Sequence, residues 1–353
     1  MHPESSTAQG SAGHAITTVR PAPVAVPDHV GQVANRYAAQ SAFADYRSRK
    51  ADNTLRAQDA DLATFAAYLG QVGVQVDPQA LATDPAAWQG MTWGLVKGFV
   101  AWMLKQGYAV GTVNRKLSTV KVYARLAAQA GALDTQELAL IRSVQGYGRQ
   151  EAKRVDERRE QSRLGAKKAE PVGLTAEQAQ LLKTSHPDTP QGRRDALLMC
   201  LLLDHGLRVG EIAALEVTDF NLAEGVFTFY RPKVDMEQTH RLTPDALRAV
   251  RAWFESGDAP AMGPLLRGSR KGGALTEAGM SERAITARVR ALGRKLLGIE
   301  GLSAHDCRHY WATRAAAQGT DAFALRDAGG WSSLAMPSRY VEAAAIANER
   351  VRL

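Results

Sequence analysis

With 353 residues, 45% of them hydrophobic, the chain is long enough for two domains and a substantial core in at least one. Its net charge of +8 points to a polyanionic partner, nucleic acid before others. Two cysteines without paired spacing, Cys200 and Cys307, exclude a disulfide framework and point to a reducing compartment. The longest apolar run, residues 196–203, is less than half a membrane span, and the first thirty residues lack the charged start and apolar block of a signal peptide. The expected location is the cytoplasm, with no membrane partner.

Residues 1–30 are rich in Ser, Ala, Gly, Pro and His without periodicity, and read as a flexible tail. From there to about residue 145 the pattern is helical. Leu55, Leu62, Phe65 and Leu69 form one apolar face of a helix that Asn53 or Thr54 would cap. Trp93, Val96, Val100 and Met103 form another after Thr92. Over residues 113–127, Val113, Leu117, Val120 and Ala124 share a stripe, while Asn114, Ser118, Lys121 and Arg125 lie about 100° around the axis. Arg115 and Lys116 extend this arc, whose residue types suit phosphate contacts and some base-edge reading in a major groove. A merely solvated face has the same pattern. Residues 146–171, dense in charge of both signs, read as a linker that is helical in part.

The second lobe opens with Thr175 and Gln178 in capping-box spacing. A helix over residues 193–205 is closed by Gly206, and Arg208 and Glu211 follow. Residues 226–231 read as a strand and residues 240–242 as its return. Lys233 falls between them, in a turn made irregular by Arg231 and a long run to Thr239. Ser281 is placed to cap a helix carrying Ile285, Val289, Leu292 and Leu296.

His305, Arg308 and His309 fall on one helical face, which Gly319 ends. Gly329-Gly330 closes the next helix, Trp331 follows at once, and Tyr340 lies in a helix that Pro337 would open. A His pair four residues apart is also half of a zinc site. Here Asp306 stands where a zinc protease needs Glu, no third ligand has a recognisable spacing, and Arg308 would repel a divalent ion. No metal and no cofactor is expected.

Five segments in order carry a resemblance: Gly-Leu-Arg-Val-Gly-Glu around Arg208, the strand-turn Lys233, His305-x-x-Arg308-His309, Gly330-Trp331, and Tyr340 nine residues after Trp331. Together they resemble the catalytic domain of the tyrosine recombinases, or phage-integrase family, and the first lobe looks like its helical core-binding domain. Ala328-Gly329-Gly330-Trp331 is similar to the Cre-like branch, whereas His309 after Arg308 is the commoner, Xer-like integrase pattern. The fold this implies is mainly α with a small β-sheet. A helical core-binding domain (residues 31–145) precedes an α+β catalytic domain (residues 172–353) that ends in a docking tail marked by Ala345, Ile346 and Val351.

The resemblance implies a metal-free strand transferase working through a 3′-phosphotyrosine and a four-way junction. In it Tyr340 is the nucleophile, Arg208 and Arg308 clamp the phosphate, Lys233 is the general acid and His305 the base. Trp331 donates a hydrogen bond, with Glu211 and His309 in support. It also implies a homotetramer on two duplex recombination sites built of inverted half-sites, in the nucleoid. A type IB topoisomerase, a telomere resolvase or a regulator that has lost cleavage would share parts of the pattern.

Overall fold

The computed structural model describes residues 28–157, 171–270 and 272–344, and the chain divides into two units between Lys167 and Lys168. The architecture is mainly helical with a small antiparallel sheet, the expected class. Residues 1–27 of the expected tail, residues 158–170 of the linker, and Ala345, Ile346 and Val351 of the docking tail lie outside the described residues. Among the described residues no helix is long and apolar enough to cross a membrane.

The first unit contains α1 (Asp28–Ser48), α2 (Asp52–Gln71), α3 (Pro78–Thr83), α4 (Trp93–Lys105), α5 (Val110–Gln129), α6 (Thr135–Ser143) and α7 (Arg149–Glu157). The apolar stripes read from the sequence meet in its core. Leu62, Phe65 and Leu69 of α2, Val96, Val100 and Met103 of α4, and Val113, Leu117, Val120 and Ala124 of α5 are all buried. Phe65 packs edge-on against Phe99, with ring centres 5.0 Å apart.

Three details of this unit differ from expectation. Neither Asn53 nor Thr54 caps α2. It starts at Asp52 after Ala51, and the acidic first turn faces the positive end of the helix dipole in place of a side-chain cap. Trp93 is exposed rather than on the buried face of α4, with the Lys97 ammonium 5.5 Å from its ring centre. The segment after residue 145 is not free of the domain, because Tyr147 packs on the core and its backbone N–H and C=O each bond the side-chain amide of Asn114.

The second unit runs through α8 (Ala176–Thr184), α9 (Pro190–Asp204), α10 (Val209–Ala214), β1 (Phe220–Asn221), β2 (Val226–Arg231), β3 (Met236–Arg241), α11 (Pro244–Glu255), β4 (Arg267–Ser269), β5 (Leu275–Gly279), α12 (Glu282–Leu297), α13 (Ala304–Ala317), α14 (Ala322–Gly329) and α15 (Ala335–Ala344). At its centre is α9, which from Leu197 to Leu203 is buried on every side and is packed by α8, α11 and α13. Each such leucine contributes roughly 1.5–3 kcal/mol of transfer free energy. Thr175 with Gln178, and Ser281, cap α8 and α12 as their spacing indicated.

Strands β1, β2 and β3 form one antiparallel sheet in that order, and β4 and β5 a separate hairpin. The return strand begins at Met236, not His240, so the turn holding Lys233 is only four residues long. Asp235 closes it at φ 49°, its carboxylate accepting from the Tyr230 hydroxyl. Pro337 is the third residue of α15 rather than the first, still within the turn whose N–H groups have no acceptor inside the helix. α11 and the β4–β5 hairpin were not anticipated.

Candidate active site

Local chemistry sets each functional side chain in place. α9 ends at Asp204, and Gly206 turns the chain at φ 61°, where a Cβ would overlap the Trp311 ring. Leu207 then anchors the next step in the core, and Arg208 becomes the residue preceding the short helix α10. Three residues on, Glu211 reaches back. Its carboxylate accepts from the Arg208 backbone N–H at 2.8 Å and from Arg208 Nη1 at 2.6 Å. Arg208 Nη2 donates to the Gly330 carbonyl at 2.8 Å.

α13 starts at a Ser303–Asp306 capping box, which leaves Arg308 on the inner face. Arg308 is buried. Its two terminal nitrogens donate to the carbonyls of Gly206 and Gly329, both at 2.5 Å, and its guanidinium lies 4.3 Å from the Trp331 ring centre. Gly330, at φ 60°, ends α14 and hands the chain to Trp331. Trp331 stacks on Trp311 with ring centres 6.0 Å apart. On α15, Tyr340 is 7% exposed, its ring 5.2 Å from His309 and 6.0 Å from Trp331. Arg208, Arg308, Trp331 and Tyr340, separated by up to 132 positions in the chain, thus converge.

The sequence reading missed a third guanidinium here. Arg231, treated only as a disturbance of the Lys233 turn, is fully buried. Its Nη1 donates to both Glu211 oxygens, at 3.0 and 2.9 Å, and to the Gly329 carbonyl at 3.2 Å. Its Nη2 donates to the Ala328 carbonyl at 2.7 Å, and its Nε to Gln238 Oε1 at 2.5 Å. The available signal was parity. Phe227, Phe229 and Arg231 alternate along the buried side of β2, so an arginine stands at an inward register position.

The field of this cluster is strongly positive. Burial pushes the Arg308 guanidinium down to about 9, the charges of Arg208 and Arg231 add to the effect, and Glu211 opposes it. Burial lowers Arg231 as well, with Glu211 opposing. Burial raises the Tyr340 phenol and Arg308 acts against the rise, so the hydroxyl is held protonated in the free protein. Burial, then the neighbouring His305, lowers His309.

The remaining site candidates fall at varying distance from this centre. His305 is exposed on α13, one turn before His309, which is the histidine that touches Tyr340. Lys233 is exposed at the tip of the β2–β3 turn, two residues beyond Arg231. Glu211, expected in a supporting role, gives its oxygens to Arg208 and Arg231.

On α5 the polar arc splits. Arg115, Ser118 and Arg125 are exposed. Lys116 does not join them. It turns inward to Asp61 at 3.0 Å and Thr64 at 2.8 Å, because its position shares the core face with Val113 and Val120. Asn114 is engaged by the Tyr147 backbone, and Lys121 donates to the Arg142 carbonyl at 3.0 Å.

Residues 173–346 match the model of the Phage integrase family. Tyrosine recombinase XerC of Pelobacter propionicus is 27% identical over 82% of this chain and 84% of that protein. Tyrosine recombinase XerD of Pseudomonas aeruginosa is 26% identical over 83% of this chain and 88% of that protein. In fold the chain is similar to a Tn1549 transposon integrase in complex with transposon right end DNA (TM-score 0.60, 16% identity, 86% of this chain and 94% of that one). It is also similar to a lambda integrase dimer bound to a COC′ core site (TM-score 0.57, 17% identity, 88% and 94%). With the arginine pair, the tryptophan and the buried tyrosine gathered in the matched segment, the chain carries a domain of the phage integrase family, the family of the tyrosine recombinases.

Proposed function

We propose that Tyr340 attacks a DNA phosphodiester held by Arg208 and Arg308, and that this cleavage drives site-specific recombination. The observation that carries the reading is the imbalance of charge. Three guanidiniums converge on one carboxylate, Glu211, and on main-chain carbonyls, beside a phenol. Such a cluster suits an anion with several oxygens, and it best fits the extra charge of a pentavalent phosphorus.

In the step itself the Tyr340 oxygen bonds to phosphorus as the bond from phosphorus to the 5′ oxygen breaks. The phenolic proton passes to His305, and the Lys233 ammonium gives a proton to the departing 5′ oxygen. His309 steadies the Tyr340 ring, and the Trp331 indole can donate to a phosphate oxygen but cannot accept a proton. The 3′-phosphotyrosine keeps the energy of the broken ester, so a 5′-hydroxyl from a second strand reverses the step without ATP. Arg115, Ser118 and Arg125 on α5 supply phosphate and groove contacts. Four copies acting on two inverted-repeat sites, joined through the segment after Tyr340, complete the exchange.

Nicked suicide duplexes built on inverted repeats that flank the gene test this. Wild type should form a covalent adduct. Tyr340→Phe, lacking only the hydroxyl, should bind equally and form none. An adduct with Tyr340→Phe places the nucleophile elsewhere.

A further inference from the structure

Both arginines of the proposed clamp and the end of α14 that presents Trp331 are tied to one fully buried side chain, Arg231. Through Glu211, Arg231 is joined to Arg208, since both arginines donate to the same carboxylate. Through the Gly329 carbonyl it is joined to Arg308, which donates to that same oxygen. Through Ala328 and Gly329 it holds the carboxyl end of α14, the segment that presents Trp331. A Cβ on Gly330 would overlap its Cδ, so the α14 terminus and the arginine stem are fitted to each other. Two residues further along the chain is Lys233. Gln238 on β3 fixes the remaining edge of the fork by accepting from Nε, while its own amide donates to the Asp327 carbonyl at 2.6 Å.

We propose that Arg231 is a positioning residue for strand cleavage: it sets Arg208 and Arg308 at the spacing the two non-bridging phosphate oxygens require. The assignment rests on the reading of those two arginines given above. A planar fork with five donors is needed, because Arg231 serves Glu211, two carbonyls and Gln238 at once. A lysine keeps the charge opposite Glu211 but cannot reach all four. The consequence is specific to charge on the phosphate. If Arg231 acts through the clamp, its loss matters where a non-bridging oxygen carries the negative charge and fades where that oxygen is replaced by methyl.

The test compares Arg231→Lys with wild type in single-turnover cleavage at saturating protein, on suicide duplexes carrying either a normal phosphate or a methylphosphonate at the cut. On phosphate the variant should be slower by about a hundredfold with duplex affinity unchanged, and on methylphosphonate within about threefold of wild type. Equal deficits on both substrates would overturn the role, leaving Arg231 a scaffold residue, and so would undiminished cleavage of phosphate. Should Arg231→Lys fail to fold, Gln238→Met releases one edge of the fork without removing a charge. It should give a smaller loss, about tenfold, with the same dependence on substrate, and an unchanged rate would overturn the role. A wild type that forms no adduct on either duplex sinks the underlying reading, and the positioning role with it.

Discussion

Two buried carboxylates, one in each unit, are built on the same plan and come to different ends. Asp61 is 1% exposed and shared by Lys116 at 7% and Arg115 at 50%; Glu211 is 3% exposed and shared by Arg231 at 0% and Arg208 at 25%. Each therefore joins a buried cation to one that reaches solvent. Around Asp61 the set is completed by hydroxyls, Thr64 on Lys116 and Thr119 on the carboxylate. Around Glu211 it is completed by a third guanidinium, Arg308, whose partners are carbonyls. The first cluster holds α2 to α5, with its one solvent-reaching cation, Arg115, paired directly to the carboxylate. The second keeps surplus positive charge at low dielectric, which is costly in an unliganded protein unless an anion is to arrive.

The largest effects should follow from removing what meets that anion. Arg208→Lys should slow cleavage by about a hundredfold to a thousandfold, and Arg115→Lys should leave cleavage of bound duplex unchanged. Lys233→Ala should lose a similar factor on phosphate and little on a duplex with a 5′-thiol leaving group, about tenfold or less, because a thiolate departs without a proton. Equal losses of Lys233→Ala on both duplexes would remove the general-acid role.

Stability sharpens the contrast next. Glu211→Gln and Asp61→Asn each strand a buried cation, and each should lose about 3–5 kcal/mol in denaturant unfolding. Inorganic phosphate, compared with chloride at matched ionic strength, should restore part of the loss in Glu211→Gln and none in Asp61→Asn. Rescue of both would erase the distinction between the clusters.

The smallest expected change is in the salt dependence of duplex binding. Arg125→Ala should reduce the slope of log K against log salt by about one, whereas Lys116→Ala should leave the slope alone while lowering stability. A slope change with Lys116→Ala would put that lysine on the DNA face after all.

What could be read from the sequence was what short-range chemistry decides. Ser281, Thr175 with Gln178, Gly319 and Gly330 mark helix ends through a side chain or a backbone angle, and all of them do so in the structure. Arg208 with Glu211, and His305 with Arg308, stood out because helical spacing brings them together regardless of the rest of the fold. Arg231 did not. Its importance comes from carbonyls some hundred residues away, and strand parity was its one local sign. Lys116 shows the opposite error. Its position three residues after Val113 and four before Val120 places it on the buried stripe, but its residue type suggested solvent. Asp61, next to Leu62 and four before Phe65, sits on the core face of α2. Two opposite charges on two core faces are the pattern of a buried pair.

The most direct measurement is the chemistry of the trapped link. Protease digestion of the covalent complex, followed by mass spectrometry of the nucleotide-bearing peptide, should find a 3′-phosphate esterified to Tyr340 and the other end of the break as a free 5′-hydroxyl. A nucleotide on any other residue, a 5′-linkage, or a wild type that binds its site and never becomes attached would contradict it.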